Sequence, residues 1–215
     1  MGRWRGAIAI IIGVLLALAG VSLAGDTTFD LGGRISPRIA VGTYPENSAF
    51  RDIFGSSSFD SAVDARVVFG AQRDRWSFDV DYQLIGLYAD RVEFSRELPP
   101  DLRILFPHLP TDRTRLFDLT HVFTDSGKTA AYQRLDRLAV GYSSDQFVVK
   151  FGRLAITWGN VLIYNVMDFF NPFDPAAVDK EFKTGDDMLY GQYLLSNGND
   201  FQGVMVFRRD PFTED

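Results

Sequence analysis

The residues best suited to do chemistry are charged side chains in segments where every second residue is apolar. Asp60 and Asp64 lie in one such segment, Asp79 and Asp81 in the next, and Lys150 in a third. Because successive side chains of a β-strand point to opposite faces, this spacing places the charges on one face of a strand and the apolar residues on the other. Charges lined up on one face either attract and select ions or pair with one another across a filled interior.

The apolar side of these segments is aromatic at its ends. One apolar set is Phe59, Val63, Ala65, Val67 and Phe69, and the next is Trp76, Phe78, Val80, Tyr82, Leu84 and Tyr88. One apolar face with aromatic ends and one polar face are typical of transmembrane β-barrel strands. We therefore expect the following residues to face outward on a sheet: Phe59, Val63, Val67, Phe69, Phe78, Val80, Tyr82 and Leu84.

Seven strands are predicted along the chain. They cover about residues 28–41, 59–70, 76–88, 134–142, 147–158, 188–195 and 201–207. Short turns alternate with long connections, the longest being residues 89–131 and 159–187. Bacterial outer-membrane barrels have short periplasmic turns and longer extracellular loops, whereas a soluble β-sandwich has no reason to sort its loops in this way. The predicted fold is therefore an all-β, antiparallel transmembrane β-barrel.

The strand count and the final residues bear on completeness. Seven is odd, whereas single-chain bacterial barrels have an even number of strands. The chain also ends in Pro211-Phe212-Thr213-Glu214-Asp215, without the terminal aromatic residue usual in such barrels. We expect an incomplete, amino-terminal part of a larger barrel, with the first and last strands as unpaired edges. An eight-stranded barrel with one strand missed is the alternative.

Two strands contain an irregularity. Pro37 in the first strand lacks a backbone N–H, which indicates a bulge or an edge position. In the fifth strand the apolar positions change from Phe147, Val149 and Phe151 to Leu154 and Ile156. One extra residue at Gly152 would keep these residues on a single outer face, so a β-bulge is predicted there. With that bulge, Lys150 and Arg153 both face the interior.

The amino terminus has the features of an export signal. Arg3 and Arg5 precede an uncharged stretch, residues 7–24, which ends in the small residues Ser22 and Ala24. This pattern predicts a signal peptide, residues 1–24, cleaved before Gly25, and one barrel domain over residues 25–215. A single membrane-spanning helix is the alternative, since about 18 apolar residues can span a bilayer. The outer membrane is the predicted location.

Composition excludes several function classes. The absence of cysteine excludes disulfides, thiol catalysis and cysteine-ligated zinc. Removing Arg3 and Arg5 leaves 20 basic and 28 acidic side chains, a net charge near −8 that disfavours nucleic acid as a partner. His108 and His121 are the only histidines, and both are predicted to lie in a long connection away from the strands, so no serine and histidine come together on barrel positions. We predict no enzyme, no cofactor and no metal site.

An acidic group late in the chain has two interpretations. Asp174, Asp179, Asp186 and Asp187 offer oxygen ligands of the kind that hard cations prefer. The simpler interpretation is a solvated acidic loop, and it is the one we favour.

A resemblance supports the barrel. Gly152-Arg153 and Trp158-Gly159 precede Asn171-Pro172-Phe173-Asp174-Pro175, and Lys183 to Asp187 follows. Over about residues 147–190 the sequence resembles an uncharacterised group of Gram-negative outer-membrane β-barrel proteins, related to porin-like and alginate-export-type channels. The resemblance implies passive, selective passage of a small solute or polysaccharide, with outer-membrane lipid as surroundings.

The connection at residues 159–187 is too apolar for a free loop, because Phe169, Phe170 and Phe173 need cover from water. We expect it to fold into the barrel mouth and to bring Asp168 or Asp174 near Arg153 and Lys150 as a charged constriction. A loop packed on the surface without a role in passage is the alternative.

The candidate pore-lining residues are thus Asp60, Asp64, Asp79, Asp81, Lys150, Arg153, Asp168 and Asp174. A porin-like channel is the first functional hypothesis. A non-conducting surface barrel that binds a partner through long loops is the second, and a soluble secreted sugar-binding β-sandwich is the third.

Overall fold

One antiparallel sheet contains every strand of the described chain. The computed structural model describes residues 27–99, 109–155 and 184–210. The predicted signal peptide lies outside these ranges. The strands are β1 (Thr27–Thr43), β2 (Ser57–Arg73), β3 (Trp76–Ala89), β4 (Thr120–Ser126), β5 (Thr129–Ser143), β6 (Phe147–Leu154), β7 (Asp186–Leu194) and β8 (Asp200–Val206). Two short helices, α1 (Ala49–Phe54) and α2 (Asp90–Glu97), lie in the connections after β1 and β3.

The sheet is an open meander with one extra strand. Its order is β1-β2-β3-β5-β6-β7-β8, and β4 pairs with β5 off this path. Within the described ranges β1 pairs only with β2, and β8 pairs only with β7 in an antiparallel ladder. The all-β antiparallel prediction is confirmed, as are the two unpaired edges. Pro37 lies in the edge strand β1, where a missing N–H costs least.

The strand count is eight, not seven, because β4 lies inside the connection predicted for residues 89–131. β4 and β5 form a hairpin in which Ser126 pairs with Thr129, and Gly127 at its turn has a φ of 54°. β5 itself begins at Thr129, five residues before its predicted start. β5 therefore has β3 along one edge, and β4 and then β6 along the other.

The two faces of the sheet differ in an unusual way. Large apolar side chains are exposed on one face, among them Leu31 and Ile35 at 74% each, while Arg66 and Asp81 on the other face are each 4% exposed. None of the eight residues predicted to face outward is buried: Phe59, Val63, Val67 and Leu84 are exposed, and Phe69, Phe78, Val80 and Tyr82 are half-buried. The predicted exposure is thus found for four of the eight, and none of them is buried under a second layer. We call the two sides the apolar face and the polar face.

Buried apolar residues of the described ranges form two small clusters. One contains Ala89, Val92 and Ala130, and the other contains Ala139, Leu154 and Met188. Neither helix of the described chain is long and apolar enough to cross a lipid bilayer.

The bulge predicted at Gly152 is wrong. Both ladders of β6 pass through Gly152 without a shift, since it pairs with Ala139 on one side and Met188 on the other. The apolar residues therefore change face: Leu154 lies on the side of Ala139 and Met188, and not with Phe147, Val149 and Phe151. Gly152 itself has a φ of 129°, a conformation that only glycine adopts readily. Register shifts lie elsewhere: one between β4 and β5 after Val122, and one between β3 and β5, where Asp81 pairs with Arg137 but Tyr82 pairs with Leu135. Asp136 is the extra residue of that bulge.

Candidate functional site

The polar face of the sheet borders a cavity of about 890 Å³. Every strand except β4 contributes to it among the described residues. Its charged lining residues are Asp30 from β1, Asp79 and Asp81 from β3, Arg137 from β5 and Lys150 from β6. Three of the predicted pore-lining residues, Asp79, Asp81 and Lys150, are thus brought to one cavity.

Beside this cavity lies a buried set of ion pairs, which we call the central network. Nη1 of Arg66 lies 2.7 Å from Oδ2 of Asp81 and 3.2 Å from Oδ2 of Asp136. Asp136 also pairs with Arg137 at 2.7 Å and with Arg134 at 3.6 Å. Three strands, β2, β3 and β5, are therefore tied together by charge on their polar face.

The bulge in β5 makes the central network possible. In a regular strand Arg134 and Asp136 would share a face, and Arg137 would lie on the other. With Asp136 as the extra residue, Arg137 pairs opposite Asp81 and Arg134 opposite Gln83, so that all three side chains reach the same network. The bulge thus concentrates three charges of one strand on the polar face.

A second polar chain extends the central network toward β1. Nε of Arg134 donates to Oε1 of Gln83 at 2.6 Å, and Nε2 of Gln83 donates to Oδ2 of Asp64 at 2.8 Å. Arg38 of β1 lies 3.7 Å from the same carboxylate oxygen. Asp64 is therefore on the polar face as predicted, held in a buried chain of hydrogen bonds away from the cavity lining.

Asp60 lies at the end of the sheet with the longer connections. Its Oδ2 is 3.4 Å from Nε of Arg91, in α2. Next to it, Asp90 accepts hydrogen bonds from Nζ of Lys128 at 2.6 Å and from the backbone N–H of Phe59 at 2.7 Å. The Lys128 ammonium and the Phe59 N–H lower the pKa of Asp90. These contacts fix α2 to the β4–β5 turn, so Asp60 belongs to this junction and not to the cavity.

Arg153 is placed apart from the cavity, in a fully buried cluster. Its side chain is 0% exposed. Nε donates to Oδ1 of Asp187 at 2.8 Å, Nη1 lies 3.1 Å from Oδ1 of Asp112, and Nη2 donates to the backbone oxygen of Phe117 at 2.6 Å. The predicted position beside Lys150 on an open interior surface does not match these contacts, because the regular ladder at Gly152 leaves Arg153 at the end of β6.

The segment at residues 109–119, which we call the strap, covers that strand end. The backbone N–H of Phe117 donates to Oδ2 of Asp187 at 2.7 Å, and the N–H of Leu119 donates to Oδ2 of Asp112 at 2.9 Å. Just beyond the strap β4 replaces β6 as the neighbour of β5. Arg153 therefore fills the point at which the partner of β5 changes.

Asp112 is the charged centre of the strap. Burial by itself raises the pKa of its carboxyl group, but Arg153, Thr120, Arg115 and the N–H of Leu119 outweigh burial and hold that pKa below its usual value. Asp112 is therefore ionised at neutral pH and matches the guanidinium of Arg153.

Two of the acidic residues considered as cation ligands are occupied by arginines. Asp186 forms an ion pair with Arg208, and Asp187 forms one with Arg153. Across the three described ranges, no group of acidic or histidine side chains is arranged to hold a metal ion. The cation interpretation finds no support in this part of the chain.

Three charged groups of the cavity contrast with these networks. Asp30, Asp79 and Lys150 line the cavity, yet none of them takes part in a hydrogen bond or ion pair in the structure as described. Asp30 and Asp79 pair with the same residue, Gly70, from opposite sides. Lys150 pairs with Gly141 in the adjacent row. The cavity thus combines paired charges on one side with free charges of both signs on the other.

The remaining candidates lie outside the described residues. Asp168, Asp174 and residues 156–183 of the predicted inward-folding connection belong to this group. The end of that connection is described, and there the backbone N–H of Gly185 donates to Oδ1 of Asp136 at 3.3 Å. The connection therefore rejoins the sheet against the central network.

Sequence reasoning missed most of the central network and the strap. Arg66 was detectable, because it lies in the alternating segment between Asp64 and Val67 on the polar face. Arg134, Asp136 and Arg137 were not, because their common orientation depends on a bulge that leaves no mark in the apolar pattern. Asp112 is one of several acidic residues in a Pro- and Arg-rich connection, and nothing in its local sequence distinguishes it.

Comparison with known proteins gives no match: no family model, no curated protein and no solved structure is similar to this chain.

Proposed function

We propose that this chain forms part of a β-barrel of the bacterial outer membrane that acts as a porin-like channel for a small solute or polysaccharide. The observation that carries the proposal is the reversed polarity of the sheet. Leu31, Ile35 and Ile39 are each 74% exposed, whereas Arg66 and Asp136 on the polar face are at most 4% exposed. A soluble sheet would bury the first set and expose the second. A barrel in lipid requires the arrangement that is present.

The spacing of aromatic residues supports a membrane-spanning height. Phe29 contacts Phe69, and Trp76 contacts Tyr142, near the short-turn end, whereas Phe59 contacts Tyr88 near the other end. Phe59 and Phe69 are ten residues apart in β2, which corresponds to about 34 Å along a strand. With a tilt of about 40° the height becomes about 26 Å, close to the apolar band of roughly 25 Å in such barrels.

The open edges set a requirement for the proposal. In lipid, every backbone N–H and C=O needs an internal partner, so β1 and β8 cannot both remain unpaired. Additional strands, from the same polypeptide or from a second copy, must complete the barrel. The proposal therefore includes a sheet larger than the eight strands described.

Neighbouring residues on opposite faces of β2 provide a direct test. The chain has no cysteine, so Val67→Cys and Val68→Cys each introduce a single thiol, the first on the apolar face and the second in the cavity lining. In outer-membrane vesicles we expect a charged, water-soluble maleimide to label only the Val68→Cys variant and a lipid-soluble maleimide to label the Val67→Cys variant. Labelling of the Val67→Cys variant by the charged reagent would contradict a lipid-facing surface and would favour the soluble sandwich.

A non-conducting barrel is the second candidate, because Arg66 pairs with both Asp81 and Asp136, and these buried ion pairs fill part of the interior. Single-channel recording on the full-length gene product in a planar bilayer separates the two. We expect discrete conductance steps from a channel. A protein with the maleimide pattern of a barrel but without conductance would be the non-conducting form.

A further inference from the structure

We infer that the free charges of the cavity form a binding site for a small zwitterionic solute, the size of a free amino acid. The inference rests on the proposed channel and narrows its solute class. Asp79 would hold the ammonium group of the solute and Lys150 would hold its carboxylate, while Asp30 adds negative charge on the side of Asp79.

Some charged side chains of the polar face have ion-pair partners in the described part of the chain, and others do not. On the polar face Asp64, Arg66, Asp81 and Asp136 all have ion-pair partners within 4 Å. A folded protein with so many arginines available would gain by pairing its remaining cavity carboxylates as well, since free charges of opposite sign attract. Asp30, Asp79 and Lys150 nevertheless stay without hydrogen bonds or ion pairs among the described residues. Their separation leaves space for something between them.

Each of the three free charges has a glycine as a strand partner. Gly70 lies between Asp30 and Asp79 in the strand register, and a Cβ there would come 3.7 Å from Cβ of Asp30. Gly141 lies beside Lys150, and a Cβ there would come 3.3 Å from Cγ and 3.7 Å from Cε of the lysine. The aliphatic part of Lys150 therefore lies across Gly141, in the direction of Ser77 in β3, which is two residues from Asp79.

The distance between Asp79 and Lys150 limits the size of the solute. Asp79 in β3 and Lys150 in β6 are two strand spacings and two residues apart, which places their Cα atoms about 12 Å from each other. Because the lysine chain extends toward β3, the gap between the charged groups is shorter than this and matches a molecule with an ammonium and a carboxylate a few bonds apart.

The charges of the site favour a zwitterion over a simple ion. A monovalent anion is attracted by Lys150 and repelled by the two carboxylates. A monovalent cation is attracted by the carboxylates and repelled by Lys150. A zwitterion satisfies both ends at once, and a mismatched solute leaves one charge of the site unpaired. The cavity of about 890 Å³ exceeds what such a solute needs, so water and solute can occupy it together.

The test compares three probes of similar size on the full-length protein: free alanine, propionate and ethylammonium. In a planar bilayer, we expect free alanine to reduce the ion current at a half-blocking concentration at least about 10-fold below that of either singly charged probe. Lys150→Met should raise the value for alanine and propionate, and Asp79→Asn should raise it for alanine and ethylammonium, each about 10-fold. Lys150→Arg keeps the charge and should retain the block. Asp145→Asn, on a side chain 96% exposed in the β5–β6 turn, should change nothing.

Calorimetric titration of the detergent-solubilised protein with the same probes makes the test independent of conduction. A protein without current that still binds alanine through Lys150 and Asp79 would overturn the channel and keep the site. A conducting protein that binds alanine no better than propionate or ethylammonium would overturn the site and keep the channel. Unchanged strand content in circular dichroism establishes that the variants are folded.

Discussion

Replacement of Arg153 by Met should be among the most destabilising single changes in this chain. The guanidinium is fully buried and contacts the carboxylates of Asp112 and Asp187 at 3.1 and 2.8 Å. Methionine fills part of the volume but leaves the buried carboxylate of Asp187 without its arginine, and leaves Asp112 with Arg115 as its one remaining cation, at 2.9 Å. Breaking a buried pair in this way costs about 3–5 kcal/mol, a large part of the 5–15 kcal/mol that is typical of a whole domain.

The assay is equilibrium unfolding in urea of the detergent-solubilised, full-length protein, followed by tryptophan fluorescence. With a denaturant slope of about 2 kcal/mol per M, a loss of about 4 kcal/mol lowers the midpoint by about 2 M. Arg75→Met is the matched control, because the Arg75 side chain is 55% exposed and its nearest carboxylate, on Asp145, is 4.0 Å away. We expect no measurable change of the midpoint in that control.

A double variant separates the loss of the ion pair from the cost of leaving a buried carboxylate without a partner. Combining Arg153→Met with Asp187→Asn removes the carboxylate that the single variant leaves without an ion-pair partner. The double variant should therefore be more stable than the sum of the two single changes predicts, by about 1 kcal/mol or more. The reasoning is refuted if Arg153→Met lowers the midpoint no more than Arg75→Met does, or if the two changes add without coupling.

Two further predictions follow from the same region. Gly152→Ala should destabilise the sheet by at least about 1–3 kcal/mol in the same urea assay, because φ is 129° and an added Cβ would collide with the backbone of Leu138. Gly191→Ala in β7 is the control, since an added Cβ there meets nothing within 4 Å, and equal effects of the two changes would contradict the role of φ. For Asp112, the lowered pKa means that its contribution to stability is complete above the unfolded value of about 3.9 and is lost as the pH falls through the folded pKa. Hydrogen exchange at the N–H of Leu119, corrected for intrinsic rates, should accelerate over that acidic range in the parent protein and lose this pH dependence in Asp112→Asn.

The sheet itself follows from local sequence to a large extent. Alternation over β2 and β3 predicts both strands within three residues of their ends, because one face of each strand is largely apolar. The turn at Asn197-Gly198 also follows from local sequence, since glycine supplies the positive φ of 86° that the hairpin needs. Strand β4 was missed, because Thr120–Ser126 is short and only Val122 and Phe123 of its seven residues are apolar.

The sequence by itself also determined which charges share a face, and hence that Asp79, Asp81 and Lys150 border one cavity. Periodicity is a local property, and a regular ladder transmits it unchanged from strand to strand. Only the tertiary structure decided which of those charges are paired. The bulge at Asp136 turns three charges of β5 toward Arg66, and the strap takes Arg153 out of the cavity and places it against Asp112 and Asp187. Such pairings join residues that are far apart in the chain, because a salt bridge depends on distances of a few ångströms that the order of residues does not fix.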